Sequence, residues 1–294
     1  MPNWVRTRIV GANMEALKTA LLSTDEKTGD FYVDFNKIKP IPTDLLNTQA
    51  PAEYAVPSKL FPSAVRDERI IKQQPVTMAL KQAFGKFYKK SLRKPFQAEF
   101  VQLVKNNKPI IQEMYRIGNF NKGFEDSNFL THVEEMAKGF YNNEVYGFTD
   151  WYEWSVCNWG SKWNASETTV DETGIYFTTA WSLAHPIMLE LAKITPIRVC
   201  FADEDIGYNC GMIDFFLNEN GDIDEEEIMG ESVELASEVW GYGTVDVYDS
   251  EKDDWIEDET DERYIKAQEK YQATVDKICD LMTVESVIKD RVGV

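Results

Sequence analysis

Residues 174–201, GIYFTTAWSLAHPIMLELAKITPIRVCF, read as strand, helix, strand. Gly174 to Trp181 is a run of β-branched and aromatic residues long enough for one buried strand. Ser182 then precedes a helix reaching Lys193. Its first turn holds Pro186, where a missing N–H costs nothing. Pro196 opens a second apolar strand that runs to Phe201. The result is one β-α-β unit.

Another such unit stands at the start of the chain. Trp4 to Val10 alternates apolar and polar residues and stops at Gly11. Asn13 is placed to cap a helix with Met14, Leu17, Leu21 and Leu22 at helical spacing. Phe31 to Ile38 returns to strand character before Pro40 and Pro42. Two β-α-β units with an added strand at Gly211–Leu217 predict an α+β fold. This is a ferredoxin-like split β-α-β antiparallel sheet with helices on one face. The organisation expected is a discontinuous core over 1–42 and 150–217, a basic helical insertion over 43–149, and an acidic α/β C-terminal extension over 218–294. In the insertion, Val76, Leu80, Ala83, Phe84 and Phe87 share a helical face, and Phe129, Leu130, Val133, Met136 and Phe140 share another. In the extension, Glu225–Ser237 reads as a helix and Gly243–Tyr248 as an exposed strand. A long final helix carries Tyr264, Tyr271, Val275, Ile278 and Met282 on its apolar face.

The two parts of the core meet at Asp150–Ala165, DWYEWSVCNWGSKWNA, which holds Trp151, Trp154, Trp159 and Trp163. Their spacing fits a strand entering a structured loop, with Gly160 permitting a tight bend. Two readings stand. The indoles are a packed corner that closes the sheet onto its helices, or a platform for stacking a base or sugar. Trp151 and Trp154 are the members expected to be partly exposed.

Aromatics at 13% and hydrophobic residues at 43% exclude wholesale disorder. No apolar run approaches a membrane span, and the N-terminus lacks a signal-peptide pattern, so a protein of the bacterial cytoplasm without a membrane partner is expected. Cys157, Cys200, Cys210 and Cys279 form no Cys-x-x-Cys pair. With only His132 and His185 beside them, no zinc spacing appears, and buried free thiols are expected.

The net charge of −19 is unevenly placed. From Asp203 to Glu262 a single basic residue, Lys252, stands among more than twenty carboxylates, whereas Lys59–Lys122 has 14 basic and 4 acidic residues. Such density is retained for solubility or for a partner. On the basic side, Lys86, Lys89, Lys90, Arg93 and Lys94 cluster at helical spacing away from Phe84 and Phe87. They are a solvated face, a phosphate-binding face, or a patch that docks on the acidic region of the same or another copy.

The segments Pro2–Val10, Asp34–Ile38 followed by Pro-Ile-Pro, Asn158–Ala165 and Phe177–Ser182 with its following Pro186 resemble the YubB-like ferredoxin-fold family. The likeness covers 2–42 and about 150–217. That family occurs on plasmids and in bacteriophages and is largely of unknown function. The resemblance therefore implies the fold and a mobile-element origin, and carries no catalytic residues.

No Ser-His-Asp or Cys-His set, Gly-rich phosphate loop or singled-out carboxylate pair is present, so neither an enzyme nor a cofactor is expected. Asn218–Glu227 has some offsets of a calcium loop, but its first ligand position is Phe216, and a hairpin turn at Asn220–Gly221 explains it more simply. The expectation is a phage- or plasmid-encoded binding protein. Its acidic surface would engage and inhibit a host complex, with a nucleic-acid-handling anti-phage defence system as the target class. The contact residues expected are Glu225, Glu226, Glu227, Asp253, Asp254, Trp255, Glu257, Asp258 and Glu259. The alternative is a nucleic-acid-binding module that uses Lys86, Lys89, Lys90, Arg93 and Lys94 with Trp151 or Trp154. Self-assembly of copies through the basic and acidic regions is a further expectation.

Overall fold

The computed structural model describes residues 3–46, 48, 102, 106, 109, 138–139, 142–143, 145–256 and 258–292. The chain divides into two compact units, Met1–Pro40 with Ser155–Val294, and Ile41–Trp154. The two helical faces read in the insertion, Val76, Leu80, Ala83, Phe84 and Phe87, and Phe129, Leu130, Val133, Met136 and Phe140, lie outside the described residues.

The first elements are β1 (Trp4–Gly11), α1 (Met14–Leu21), β2 (Leu22–Thr24) and β3 (Phe31–Val33), then the short helix α2 (Thr43–Leu46) and α3 (Trp151–Trp159). Next come β4 (Ser166–Val170), β5 (Ile175–Ala180), α4 (His185–Ala192), β6 (Ile197–Asp203), β7 (Cys210–Leu217) and β8 (Ile223–Met229). The chain ends with α5 (Val233–Trp240), β9 (Tyr248–Asp249), β10 (Asp254–Trp255), α6 (Glu262–Leu281) and α7 (Val284–Arg291).

The main sheet has the order β4-β5-β1-β6-β7-β8, antiparallel throughout. The path β1-α1-β4 straddles β5, and β5-α4-β6 straddles β1. These are two split β-α-β crossings, the ferredoxin-like arrangement. Strand β7 and its hairpin partner β8 extend the sheet. The Asn218–Asp222 turn joins them, with Gly221 at φ 82° and its N–H donating to the Asn218 carbonyl at 3.0 Å.

The strand that completes this core is not Phe31–Ile38, as its pattern predicts. Phe31–Val33 folds back on Leu22–Thr24 as a small hairpin. Asp34 then caps a 3-10 turn at Phe35–Lys37 by accepting from Asn36 N–H at 3.0 Å. The vacant edge is filled by Ser166–Val170, whose polar run SETTV has no apolar alternation because it borders solvent. The tryptophan segment also differs from its reading. Trp151–Trp159 is a helix, opened by Asp150, which accepts from the N–H groups of Tyr152 and Glu153 at 2.9 and 3.0 Å.

Both faces of the sheet are covered, rather than one. Val5, Thr7 and Ile9 of β1 are buried on the side of α1 and α4, with Leu17, Ile187, Met188 and Leu191. Val10, Cys200, Ala202, Cys210 and Met212 point the other way, into a core with Leu235 and Ala236 of α5, Ile278 and Met282 at the end of α6, and Val287 of α7. The C-terminal extension thus supplies a third layer. Within it, Glu225–Ser237 is not one helix. Glu225–Glu227 pair as strand with Phe215, Asp214 and Ile213, and the helix starts at Val233 after the Ser232 cap. Of Gly243–Tyr248, only Tyr248 joins a strand, in the two-residue pairing of β9 with β10. Cys200 and Cys210 are free and buried, whereas Cys157 and Cys279 are exposed.

Candidate partner-binding surface

Two acidic features sit on exposed elements of the larger unit. One is β8 at the edge of the sheet, where Asp224, Glu225, Glu226 and Glu227 are all exposed. Alternation sends neighbouring side chains to opposite faces. Glu225 meets His185 Nε2 at the start of α4 at 2.7 Å, and Glu226 meets Arg291 Nη1 on α7 at 2.7 Å. The edge strand is thereby anchored to one helix on each side of the sheet. Arg291 also lies over the Phe216 ring, 4.4 Å from its centroid.

The other feature is the β9–β10 hairpin. Trp255 is 59% exposed and Tyr248 47%, and their rings meet edge to face with centroids 5.1 Å apart. The Tyr248 hydroxyl donates to Asp253, which sits at φ 57° in the turn; this bond pushes the phenol's pKa up. Asp254 flanks the pair on β10. The hairpin is clamped from below. Asp249 is buried and accepts from the N–H groups of Glu251 and Lys252 and from Arg263 Nη2 at 3.0 Å. Arg263 also grips Asp261, the N-cap of α6, through two bonds of 3.1 and 2.9 Å. The hydrogen bonds from Arg263 hold Asp261 down at about 2 and lower Asp249 as well, so both stay ionised. Asp258 binds the Thr260 N–H and hydroxyl at 2.9 and 2.6 Å, and Glu259 is exposed beside it.

Among the described residues, no hydrogen bond or ion pair joins β8 to the hairpin. Asp253, Asp254 and Trp255 are brought together on one turn, while Glu225, Glu226 and Glu227 belong to the sheet edge. Glu257 lies outside the described residues, as do Lys86, Lys89, Lys90, Arg93 and Lys94. Trp151 is half-buried, with its ring edge-on to Tyr152 at 6.0 Å. Trp154 is buried at 8% exposure, contrary to expectation: as a residue of helix α3 it is turned inward and offers no open face for a base.

The rest of the tryptophan segment divides by role. Trp159 is buried, donates from Nε1 to the Lys39 carbonyl at 2.9 Å and packs on Phe35 at 6.0 Å. Gly160 turns at φ 76°, where an added Cβ would stand 2.8 Å from Pro186 Cδ. Trp163 is exposed and lies 6.2 Å from Trp4, with Lys162 over its ring. Three residues of the hairpin site escape sequence reading: Tyr248, Asp249 and Arg263. An aromatic placed inside a run of carboxylates is the available signal for Tyr248. Arg263 lies 14 positions beyond the Asp249 it clamps, and its role needs the fold.

Comparison with known families bears on the same segment. Residues 158–242 match the family model of the ferredoxin-like domain in Api92-like protein. The match runs from the end of α3 through β8 and α5, so it takes in the acidic edge strand and not the β9–β10 hairpin. The Api92-like likeness supports the ferredoxin-like fold over residues 158–242 and does not extend to the YubB-like name. No curated protein and no solved structure matches the chain. Among the described residues no helix is long and apolar enough to cross a membrane, and no cluster of three His, Cys, Asp or Glu side chains is arranged for a metal ion.

Proposed function

We propose that this chain is a non-enzymatic binding protein of a phage or plasmid that engages and inhibits a host macromolecular complex through its acidic surface. The target class is a nucleic-acid-handling defence system. The observation that carries the reading is the exposed Trp255–Tyr248 pair on a clamped hairpin, flanked by Asp253 and Asp254. Exposed aromatics on a rigid turn lose little entropy on docking and are the residue types that dominate binding energy at interfaces. Carboxylates around them favour a basic partner surface, the kind that holds nucleic acid, and long-range attraction speeds encounter.

The test is capture of partners by the full chain from bacterial lysate, with two variants run beside it. A stoichiometric protein partner should be retained by the unchanged chain. Trp255→Ala should weaken it at least about tenfold, equivalent to roughly 1.4 kcal/mol. Asp253→Asn with Asp254→Asn should weaken it and flatten its salt dependence. A partner held equally well by both variants would sink the hairpin interface. Steeply salt-dependent DNA or RNA binding with no protein partner would instead favour the nucleic-acid-binding alternative.

A further inference from the structure

On the sheet face covered by the C-terminal helices, Arg6 and Arg8 stand side by side two residues apart on β1, both half-buried. They line a cavity of about 80 Å³ with Tyr176 on the neighbouring strand, and Cys200, Glu238 and Ile278 close it. Arg8 is also a wall of a larger groove of about 340 Å³, whose apolar lining is Val10, Met14, Met282 and Val284.

The bonding of the two arginines is incomplete. Arg6 donates from Nη1 to the carbonyl of Trp240, the last residue of α5, at 3.0 Å. Arg8 donates to the carbonyl of Met282, the C-cap of α6, at 3.1 Å, and to that of Thr173 at 3.3 and 3.0 Å. Each therefore caps a helix C-terminus, where a cation is stabilised. Among the described residues Nε and Nη2 of Arg6 and Nη1 of Arg8 have no acceptor. No described carboxylate lies within ion-pair distance of either arginine, in a chain of net charge −19. Arg198, Arg263 and Arg291 are each paired with carboxylates. Glu238 in the cavity wall takes the Tyr271 hydroxyl at 2.9 Å and does not reach the guanidinium groups. Within the cavity lining Glu238 is the one carboxylate, and Asp171 acts on Arg8 electrostatically from beyond ion-pair distance.

We propose that Arg6 and Arg8 bind the carboxylate of a small organic monoanion whose apolar body lies in the groove lined by Val10, Met14, Met282 and Val284. The unused N–H groups match the planar acceptor pair of a carboxylate. With Glu238 in the cavity and two further carboxylates along the groove, a dianion such as phosphate is repelled more than a monoanion. Glu172 and Glu285 line the groove and disfavour a further acidic group on the ligand. Arg8 lines both the cavity and the groove, and Arg6 lines the cavity alone, so Arg8 is the polar group next to the apolar recess, an arrangement common in small-molecule sites.

The experiment titrates the full chain with octanoate, and with 1-octanol, acetate and inorganic phosphate as comparison probes, by calorimetry. Octanoate is expected to bind one to one, at least about tenfold more tightly than any of the other three, a difference of roughly 1.4 kcal/mol. Arg6→Gln should lower octanoate affinity at least tenfold, and Val284→Glu should abolish octanoate binding. In the unsubstituted chain, octanoate should shift the Nε–H resonances of Arg6 and Arg8, a readout that survives if a variant fails to fold. The proposal is overturned by absence of octanoate binding, by 1-octanol or phosphate binding as tightly, by unchanged affinity in folded Arg6→Gln, or by resonances of both arginines that do not move.

Discussion

Arg198 has no exposed surface, and its guanidinium makes five hydrogen bonds: two to Asp214 at 2.6 and 2.8 Å, one to Asp290 at 2.8 Å, and one each to the Leu281 carbonyl and Ser286 Oγ at 2.9 Å. Five donors with five acceptors satisfy the group completely. Arg291 adds a bond to Asp214 at 2.5 Å, so one buried carboxylate is shared by two arginines. The network joins α7 to β6 and β7. Burying charge is costly, and removing one partner leaves that cost without compensation. Asp214→Ala should therefore destabilise the larger unit by about 3–5 kcal/mol in denaturant unfolding. Arg198→Met combined with Asp214→Leu should cost less than the two single changes added, because the pair leaves together. Little of this is legible in the sequence. Arg198 sits inside a strand that reads as apolar, and its partners lie 16 and 92 residues further on. No local pattern marks positions so far apart as neighbours.

At the scale of elements, the β9–β10 hairpin depends on ionised carboxylates. Asp249 and Asp261 have folded pKa values below the usual carboxylate value of about 3.9 because Arg263 donates to both. A depressed folded value means that the unfolded segment binds protons first as pH falls. The stabilisation is thus full above about pH 4 and is lost as pH falls through the folded values, about 2 for Asp261. Amide exchange at Ile256, whose N–H donates to the Val247 carbonyl across the hairpin at 2.8 Å, should stay slow down to about pH 4 and lose protection between there and about pH 2. Arg263→Ala should move that loss up toward pH 4. Whether an element is legible in the sequence depends on where its partners lie. Trp4–Gly11, Met14–Leu21, Ile175–Ala180, His185–Ala192 and Ile197–Asp203 carry their own period or cap. Ser166–Val170 and Ile223–Met229 are polar edge strands, each defined by the strand it is paired with. SETTV carries no periodic signal of its own, and the carboxylate run within Ile223–Met229 has the composition of a helix start. Phe31–Val33 has strand character and pairs with a local partner instead of the sheet.

For the whole molecule, the net charge of −19 with acidic residues concentrated after Asp203 sets up self-repulsion that every ion pair only locally offsets. Raising ionic strength from about 0.01 M to about 0.15 M shortens the screening length from about 30 to about 8 Å. The melting temperature should rise over that range, measured by calorimetry at neutral pH. A fall would show that the exposed ion pairs, such as Lys266 with Glu262, outweigh the repulsion. Composition and periodicity alone determined the α+β class, the ferredoxin-like core, the bipolar charge and the long final helix, because each is written in neighbouring residues or in sums over them. Tertiary structure decided which strand completes the core, that the extension covers the other sheet face, that Trp154 is buried while Trp255 is open, and that Arg6 and Arg8 share a cavity. Those outcomes depend on contacts between distant segments, where burial and pairing at one position are set by what the rest of the chain places beside it.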